Sequence, residues 1–360
     1  MTVMKINKVL KIAIFTMLLV SIGYIYKNNH GDVSPIIDIH GSATVSAAEI
    51  KKKHLQEFKK IAAIMQSNAG LNSASNNILM SYLLTNLVHD IKQENKLGFV
   101  HISPIIYPGD SNTYVTIDVI EASNASKQPY FLKKPVKTIK DPDHLIDMWL
   151  EYEKKGFSFF YREKKFPIYQ SCPAYHCLFG FDLEPFKKYE AIFNRFVEKD
   201  KFELMTILKE DKDSQKRAAA AFLMAHIKNA DELVSILLPS IYDADANVRN
   251  NVMRVLGMVL LNNKNINLTF SQIANILDFP LSTDRNKGML ILLGLSSRPK
   301  ATPEIIHYFG EKLLAELKQQ QPNNHNLSYA ILKNISGKQY TDRDYSSWSQ
   351  WLAKSHASAS

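Results

Sequence analysis

Asp213-Ser-Gln-Lys-Arg217-Ala-Ala-Ala-Ala-Phe-Leu and Asp245-Ala-Asn-Val-Arg249-Asn-Asn-Val-Met-Arg-Val-Leu-Gly257 decide the fold. In each, an Asp stands four residues before an Arg, and a small or apolar face follows. The spacing suits an ion pair across one helical turn, with the acid at the positive end of the helix. Each stretch reads as the second member of a helix pair. The first pair is Phe202–Lys209 with Gln215–Ile227, the second Asp231–Ile241 with Ala246–Leu261. The third is Phe270–Leu277 with Arg285–Leu295, the fourth Pro303–Leu317 with Leu327–Ile335. Thr269 with Gln272 has the spacing of a capping box, and Thr302-Pro303-Glu304 that of a helix start. Arg285 and Gly294 keep the pattern in the third pair, and Ala218–Ala221 would let helices approach closely. One helix pair cannot bury its own apolar face, so such a period means stacked repeats, an α-solenoid of about four helix pairs over 201–354.

Upstream, the 360-residue chain has room for two or three folding units. Residues 47–95 carry two amphipathic helices: Leu55, Phe58, Ile61 and Met65 line one, and Ile78, Tyr82, Leu83, Leu87 and Ile91 the other. Residues 96–200 read as a small α+β unit. Phe99–Tyr107 and Tyr114–Ala122 form a hairpin around Pro108–Asn112, and Asp141-Pro142 opens a helix carrying Leu145, Met148, Trp149 and Tyr152. Gly156 closes that helix, and Phe157–Tyr161 is expected as a third strand. Residues 28–46 read as a linker and 355–360 as a disordered tail.

The first 27 residues are a topology signal. Lys5, Lys8 and Lys11 precede the uncharged run Ile12–Tyr26, and Lys27 ends it. This pattern keeps the N-terminus inside and sends the remainder across the membrane. The run is short for an anchor and carries only a weak cleavage site at Ser21-Ile22-Gly23, so an N-terminal hydrophobic anchor helix and a cleaved signal peptide both stand. Either places the body outside the cytoplasm, in the periplasm of a bacterium. Of the net charge of +9, +5 lies within residues 1–60, beside the hydrophobic run and not as a stripe in a folded domain. That weighs against nucleic acid as a partner. Lys51–Lys53, Lys59 and Lys60 suit a solvated helix face, or contact with anionic lipid or an envelope polymer.

The repeats resemble HEAT repeats, and Ile335-Ser-Gly337-Lys-Gln-Tyr340 with Asp344, Trp348, Trp351 and Leu352 resembles the closing segment of bacterial HEAT-repeat proteins. CPAYHCLFGFD (Cys172–Asp182), RAAAAFLMAH (Arg217–His226) and VRNNVMRVLG (Val248–Gly257) are similar to a group of such proteins without an assigned activity. The resemblance spans about residues 97–354. It implies a binding surface or scaffold and transfers no catalytic residue.

The two cysteines, Cys172 and Cys177, flank His176. A disulfide is the leading reading, since export permits it. A reduced buried pair, a metal or haem site and a Cys–His nucleophile are the others. The order is not C-x-x-C-H, and no fourth metal ligand or orienting third group is evident. The dense aromatics of residues 157–186 read as packing at a joint before a ligand groove, Trp348 and Trp351 as an end seal, and His226 as a packed histidine. No Walker loop, H-E-x-x-H or G-x-S-x-G occurs. The sequence therefore points to a non-enzymatic extracytoplasmic scaffold without a cofactor or metal. Its protein partner would meet Arg217, Arg249, Arg254 and Arg285. The alternative is a ligand-binding or enzymatic site near Cys172, His176 and Cys177.

Overall fold

The computed structural model describes residues 34–67, 73–107, 110–127, 130–163, 172–180, 186–266 and 268–357. The expected N-terminal hydrophobic helix, the tip of the hairpin turn and the last three residues lie outside them. The described chain is mostly helical, with one small three-stranded sheet. It divides into two compact units, Met1–Ser123 with Tyr161–Lys165, and Asn124–Phe160 with Phe166–Ser360. The hairpin thus groups with the helices before it, not with the cysteine loop.

In the first unit, β1 (Ile36–His40) is followed by α1 (Ala47–Lys53), α2 (Leu55–Gln66), α3 (Ala74–Glu94), β2 (Leu97–Ile106) and β3 (Thr113–Glu121). The hairpin forms as the alternation of Val115, Ile117 and Val119 predicts, with Ile102 opposite Ile117 and Val100 opposite Val119. The linker reading of 28–46 fails at Ile36–His40, which pairs parallel to β3 from Ile36 opposite Tyr114 to His40 opposite Asp118. Central β3 completes the order β1-β3-β2. Gly41 follows with φ +97°, and a Cβ there would stand 2.0 Å from the Val119 carbonyl oxygen, so only glycine lets the chain leave the sheet here. Phe58, Ile61, Leu83, Leu87 and Ile91 pack on Val115, Ile117 and Val119 as one core. The face expected of α3 is rotated. Met80 is buried with Leu83, Leu87 and Ile91, whereas Ile78 and Tyr82 are 72% and 64% exposed. The inward positions repeat at three and four residues from Met80, which puts Ile78 and Tyr82 on the neighbouring face.

The second unit contains α4 (Leu145–Glu163), α5 (Lys187–Phe196), α6 (Lys201–Glu210), α7 (Ser214–Leu223), α8 (Ala230–Leu237), α9 (Ala246–Asn262), α10 (Ser282–Ser296), α11 (Thr302–Leu317), α12 (Pro322–Ser336) and α13 (Tyr345–Ala357). Helix α6 packs on α7, α8 on α9 and α11 on α12. The second members also pack in series, α7 on α9, α9 on α10 and α10 on α12. The first helix expected at Phe270–Leu277 is instead a 3₁₀ turn, Phe270–Gln272, followed by further turns, and Thr269 makes no side-chain cap. Trp348 is fully buried against Tyr340, Tyr329 and Trp351 and donates its indole N–H to the Thr341 carbonyl.

The strand expected at Phe157–Tyr161 does not form. Helix α4 runs through Gly156 to Glu163. Gly156 serves a close contact, not a helix stop: a Cβ there would meet the Phe179 ring at 2.0 Å. Phe179 is held from the other side, because the Tyr152 hydroxyl donates to its carbonyl and accepts from its N–H at 2.8 and 2.7 Å. Alanine improves an ordinary helix interior by about 1 kcal/mol over glycine. Here Gly156→Ala is expected to destabilise by about 1–3 kcal/mol through overpacking, read as a lowered thermal midpoint by circular dichroism.

An extended segment, Tyr130–Lys140, crosses the loops that join these helices. The Leu132 N–H donates to the Tyr242 carbonyl, the Lys137 carbonyl accepts from the Lys212 N–H, and the Ile139 N–H donates to Asp211 Oδ2 at 2.8 Å. Phe131 packs on Phe279 and lies 4.1 Å beneath the Arg249 guanidinium.

Candidate functional site

The four arginines expected on a binding surface do not stand together. Arg217, Arg249 and Arg285 are buried, with 2%, 3% and 0% exposure. The expected intrahelical pairs are absent because the acids have another task. Asp213 caps α7 by accepting the Gln215 N–H, and Asp245 caps α9 by accepting those of Asn247 and Val248. Each arginine instead reaches the following helix pair. Arg217 grips both carboxylate oxygens of Asp243, at 3.0 and 2.8 Å. Arg249 holds Asp284 Oδ2 at 3.0 and 2.6 Å, and Arg285 holds Glu316. Every Nη1 turns back to a carbonyl six residues earlier, those of Asp211, Asp243 and Phe279. Stripping one partner from such a buried pair leaves a charge without compensation, costing about 3–5 kcal/mol, while replacing both by apolar groups is close to neutral. Arg249→Met should therefore lower the urea midpoint sharply, and Arg249→Met with Asp284→Leu should recover most of the loss. Equal losses in the single and double variants would contradict a coupled pair.

The ladder also sets helix register. Counting from each arginine, the next two residues are Ala218 and Ala219, Asn250 and Asn251, then Asn286 and Lys287. The fifth residue is Phe222, Arg254, then Leu290. On α7 and α9 these positions line a cleft of about 500 Å³ with Gln215 and Asn247. Its other wall is Trp149, Leu150, Glu153 and Phe157 of α4, with Leu178. Phe222 is the hinge of this site. Trp149 stacks on it at 4.9 Å between ring centroids, His176 at 5.4 Å, and the Arg254 guanidinium lies 5.7 Å from its centre. Arg254, only partly buried, is thus the one arginine of the four that reaches a usable surface. Burial pushes the Glu153 carboxyl up, and Arg254 partly offsets this. Seven of its fourteen lining residues are polar or charged, more than the few that an ordinary ligand pocket carries.

Cys172 and Cys177 are bonded to each other, with 5.8 Å between their Cα atoms. Neither sulfur is then a thiolate for metal binding or attack. Closing so short a loop contributes about 2 kcal/mol on chain-entropy grounds. The loop is fastened to the end of α7: the Tyr175 N–H donates to the Ala225 carbonyl and its hydroxyl to that of Lys228. Tyr152, Phe179, Phe186, Tyr189 and Phe193 are fully buried, so these aromatics are core, and Phe157 lines the cleft. His176 is partly buried as a residue, yet both ring nitrogens are sealed from solvent without a hydrogen-bond partner. Asp141, His144 and Asp147 could bring three ligand atoms within 4.8 Å. Both Asp141 oxygens already accept helix N–H groups, from Ile146 and Asp147, so that cluster is a cap.

His226 is packed, as its sequence context implies, and its Nδ1 meets Asn194 Oδ1 at 2.8 Å. Burial pulls its pKa from 6.5 down to about 4. Its unfolded form binds protons more readily, so stability is intact above 6.5 and declines as pH falls towards 4. Between pH 7 and 5 this one group should remove about 2 kcal/mol, and His176, also depressed by burial, acts with the same sign. His226→Gln should flatten the acid limb of thermal midpoints measured from pH 7 to 5.

Sequence reasoning missed Glu153, which carries no motif; only its offset of one helical turn from Trp149 marks it. No known family, curated protein or solved structure matches the chain.

Proposed function

We propose that the second unit is a HEAT-like α-solenoid of about four helix pairs, that it binds a protein segment along its second helices, and that the N-terminal region holds it outside the cytoplasm, anchored to the membrane or exported. The carrying observation is the cleft at the ladder-fixed positions. Gln215 and Asn247 present amides, which can both donate to and accept from an extended backbone, while the amides of Asn250 and Asn251 already donate to the Thr283 and Ala218 carbonyls. Phe157, 39% exposed, offers a ring to its side chains over the buried Trp149 and Phe222, the residue type that dominates protein contacts. Ala218 and Ala219 leave room for close approach. The resemblance to bacterial HEAT-repeat proteins agrees with a scaffold, and the disulfide agrees with export. A catalytic reading at Cys172, His176 and Cys177 draws less support, because the sulfurs are spent on each other. No helix among the described residues is long and apolar enough to cross a membrane, so any anchor falls to the first 27 residues.

A photo-crosslinking amino acid at Asn250, inside the cleft, is the direct test in living cells. A discrete protein adduct is expected there, and none from Phe202, which is 63% exposed on α6. Adducts from Phe202 with none from Asn250 would overturn the groove as the binding face.

A further inference from the structure

Three exposed apolar side chains stand together on α3, in the first unit. Ile78 is 72%, Leu79 43% and Tyr82 64% exposed. Spacings of three and four residues make Leu79 and Ile78 the neighbours of Tyr82 along one side of the helix. The buried stripe of α3 is a different one, Met80, Leu83, Leu87 and Ile91. A solvated helix face ordinarily carries charge opposite its buried stripe. Here Ser75, Ser81, Thr85 and Asn86 are exposed around the patch, and none is charged. From Ile61 to His89 the sequence holds no Asp, Glu, Lys or Arg, in a chain of which 22% is charged. Adjoining exposed apolar side chains mark a contact with a partner or a membrane.

The fold sets this patch where the chain enters the unit. Strand β1 begins at Ile36, opposite Tyr114, at the hairpin-tip end of the sheet. Gln66, the last residue of α2, donates to the Ser111 carbonyl and to Thr113 Oγ1 at the same end, both at 3.2 Å. Asn76, in the first turn of α3, donates to Ser67 Oγ. Helix α3 then packs along β2 and ends at Glu94, shortly before Leu97, which lies opposite Glu121 at the far end. The N-terminal half of α3 therefore shares its end of the sheet with Ser34 and Pro35. Only β3 separates β1 from β2, a spacing of about 10 Å. Upstream, residues 27–33 join this point to the uncharged run Ile12–Tyr26. A linker of that length reaches about 25 Å at full stretch, so a run held in a bilayer keeps this end of the unit at the membrane surface.

We infer that the N-terminal half of α3 rests on the lipid surface, with Ile78, Leu79 and Tyr82 inserted at the level of the headgroups. This rests on the anchored arm of the localisation proposed above. The side chains suit that depth. Ile78 and Leu79 gain by leaving water, and a tyrosine places its ring and its hydroxyl on the two sides of the interface. No charge in the patch has to be dehydrated. The tether supplies a high local concentration, so a small contact suffices. A second copy of the chain would need far more area than three side chains to hold a stable dimer.

The test uses the full-length chain in vesicles of phosphatidylcholine with phosphatidylglycerol. A single cysteine is introduced as Tyr82→Cys or, for comparison, as Ala43→Cys, and carries an environment-sensitive fluorophore. The two native cysteines are bonded to each other and do not take the label. Ala43 is exposed and follows Ser42, which bonds Glu121 at the far end of the sheet. Nitroxides on the lipid, just below the headgroup, should quench the label at Tyr82→Cys about threefold more strongly than that at Ala43→Cys, since interfacial side chains sink roughly 5–10 Å. Adding Ile78→Asp with Leu79→Asp should remove the difference, and circular dichroism melts confirm that each variant folds. Flotation of the vesicles reports the anchor separately. Protein that floats but is quenched equally at both positions would overturn the lipid contact and leave the anchor intact. Protein that does not float would overturn the anchored reading and the inference with it. A label at Tyr82→Cys shielded from lipid nitroxide and from aqueous iodide alike, in a chain that crosslinks to a second copy through that cysteine, would assign the patch to a dimer and overturn the inference.

Discussion

A buried guanidinium that reaches out of its own helix pair into the next is the constraint on which the second unit depends. Arg217, Arg249 and Arg285 each join a carbonyl of the preceding loop to a carboxylate of the following pair. Such pairs add little net stability compared with apolar packing, since desolvating both charges consumes most of the attraction. What they fix is geometry. A guanidinium fork satisfied on two sides tolerates only one rotation of its helix, and a slip would strand a charge in the interior. Leucine-rich helices such as α10 would otherwise pack acceptably in several rotations.

Register decides what the groove is made of. With the arginines pointing inward, the residues just beyond them line its floor and change from pair to pair. The floor is smooth at Ala218 and Ala219, carries amides at Asn250 and Asn251, and gains a cation at Arg254. Phe222, which carries Trp149, His176 and Arg254 around one ring, joins this floor to the disulfide loop and to α4. The binding reading therefore needs no irregular catalytic loop. It arises from the positions that these helices leave open once their packing positions are taken.

Much of this architecture was legible in the sequence. The Asp–Arg echo located α7 and α9 to within a few residues, and alternation located the hairpin. The failures share a cause, which is that local rules were applied where distant contacts decide. Arg217 and Arg249 read as surface groups because an acid stood four residues away; nothing local reveals that Asp243 and Asp284 outbid it. Gly156 read as a stop because glycine weakens helices, while its actual contact, Phe179, lies in a different segment. Ile36–His40 is a short run between Pro35 and Gly41 that becomes a strand only because β3 offers an edge. At the candidate site, Trp149 was visible as part of an apolar face, but Glu153 acquires meaning only from what encloses it.

The Tyr130–Lys140 segment ties together parts of the second unit that stand far apart in the chain. Where each repeat touches only its neighbours, a chain can fray or open one repeat at a time. Here one strap is bonded to the loop at Asp211, to the loop at Tyr242 and, through Phe131, to Phe279. Loosening any one of these contacts would weaken the strap's hold on the others, which opposes the opening of one helix pair at a time. The strap also brings together residues far apart in the chain, which slows folding in proportion to the loops that must close first. A cleft braced in this way is shaped in advance, and a ligand that fitted it would lose little to ordering.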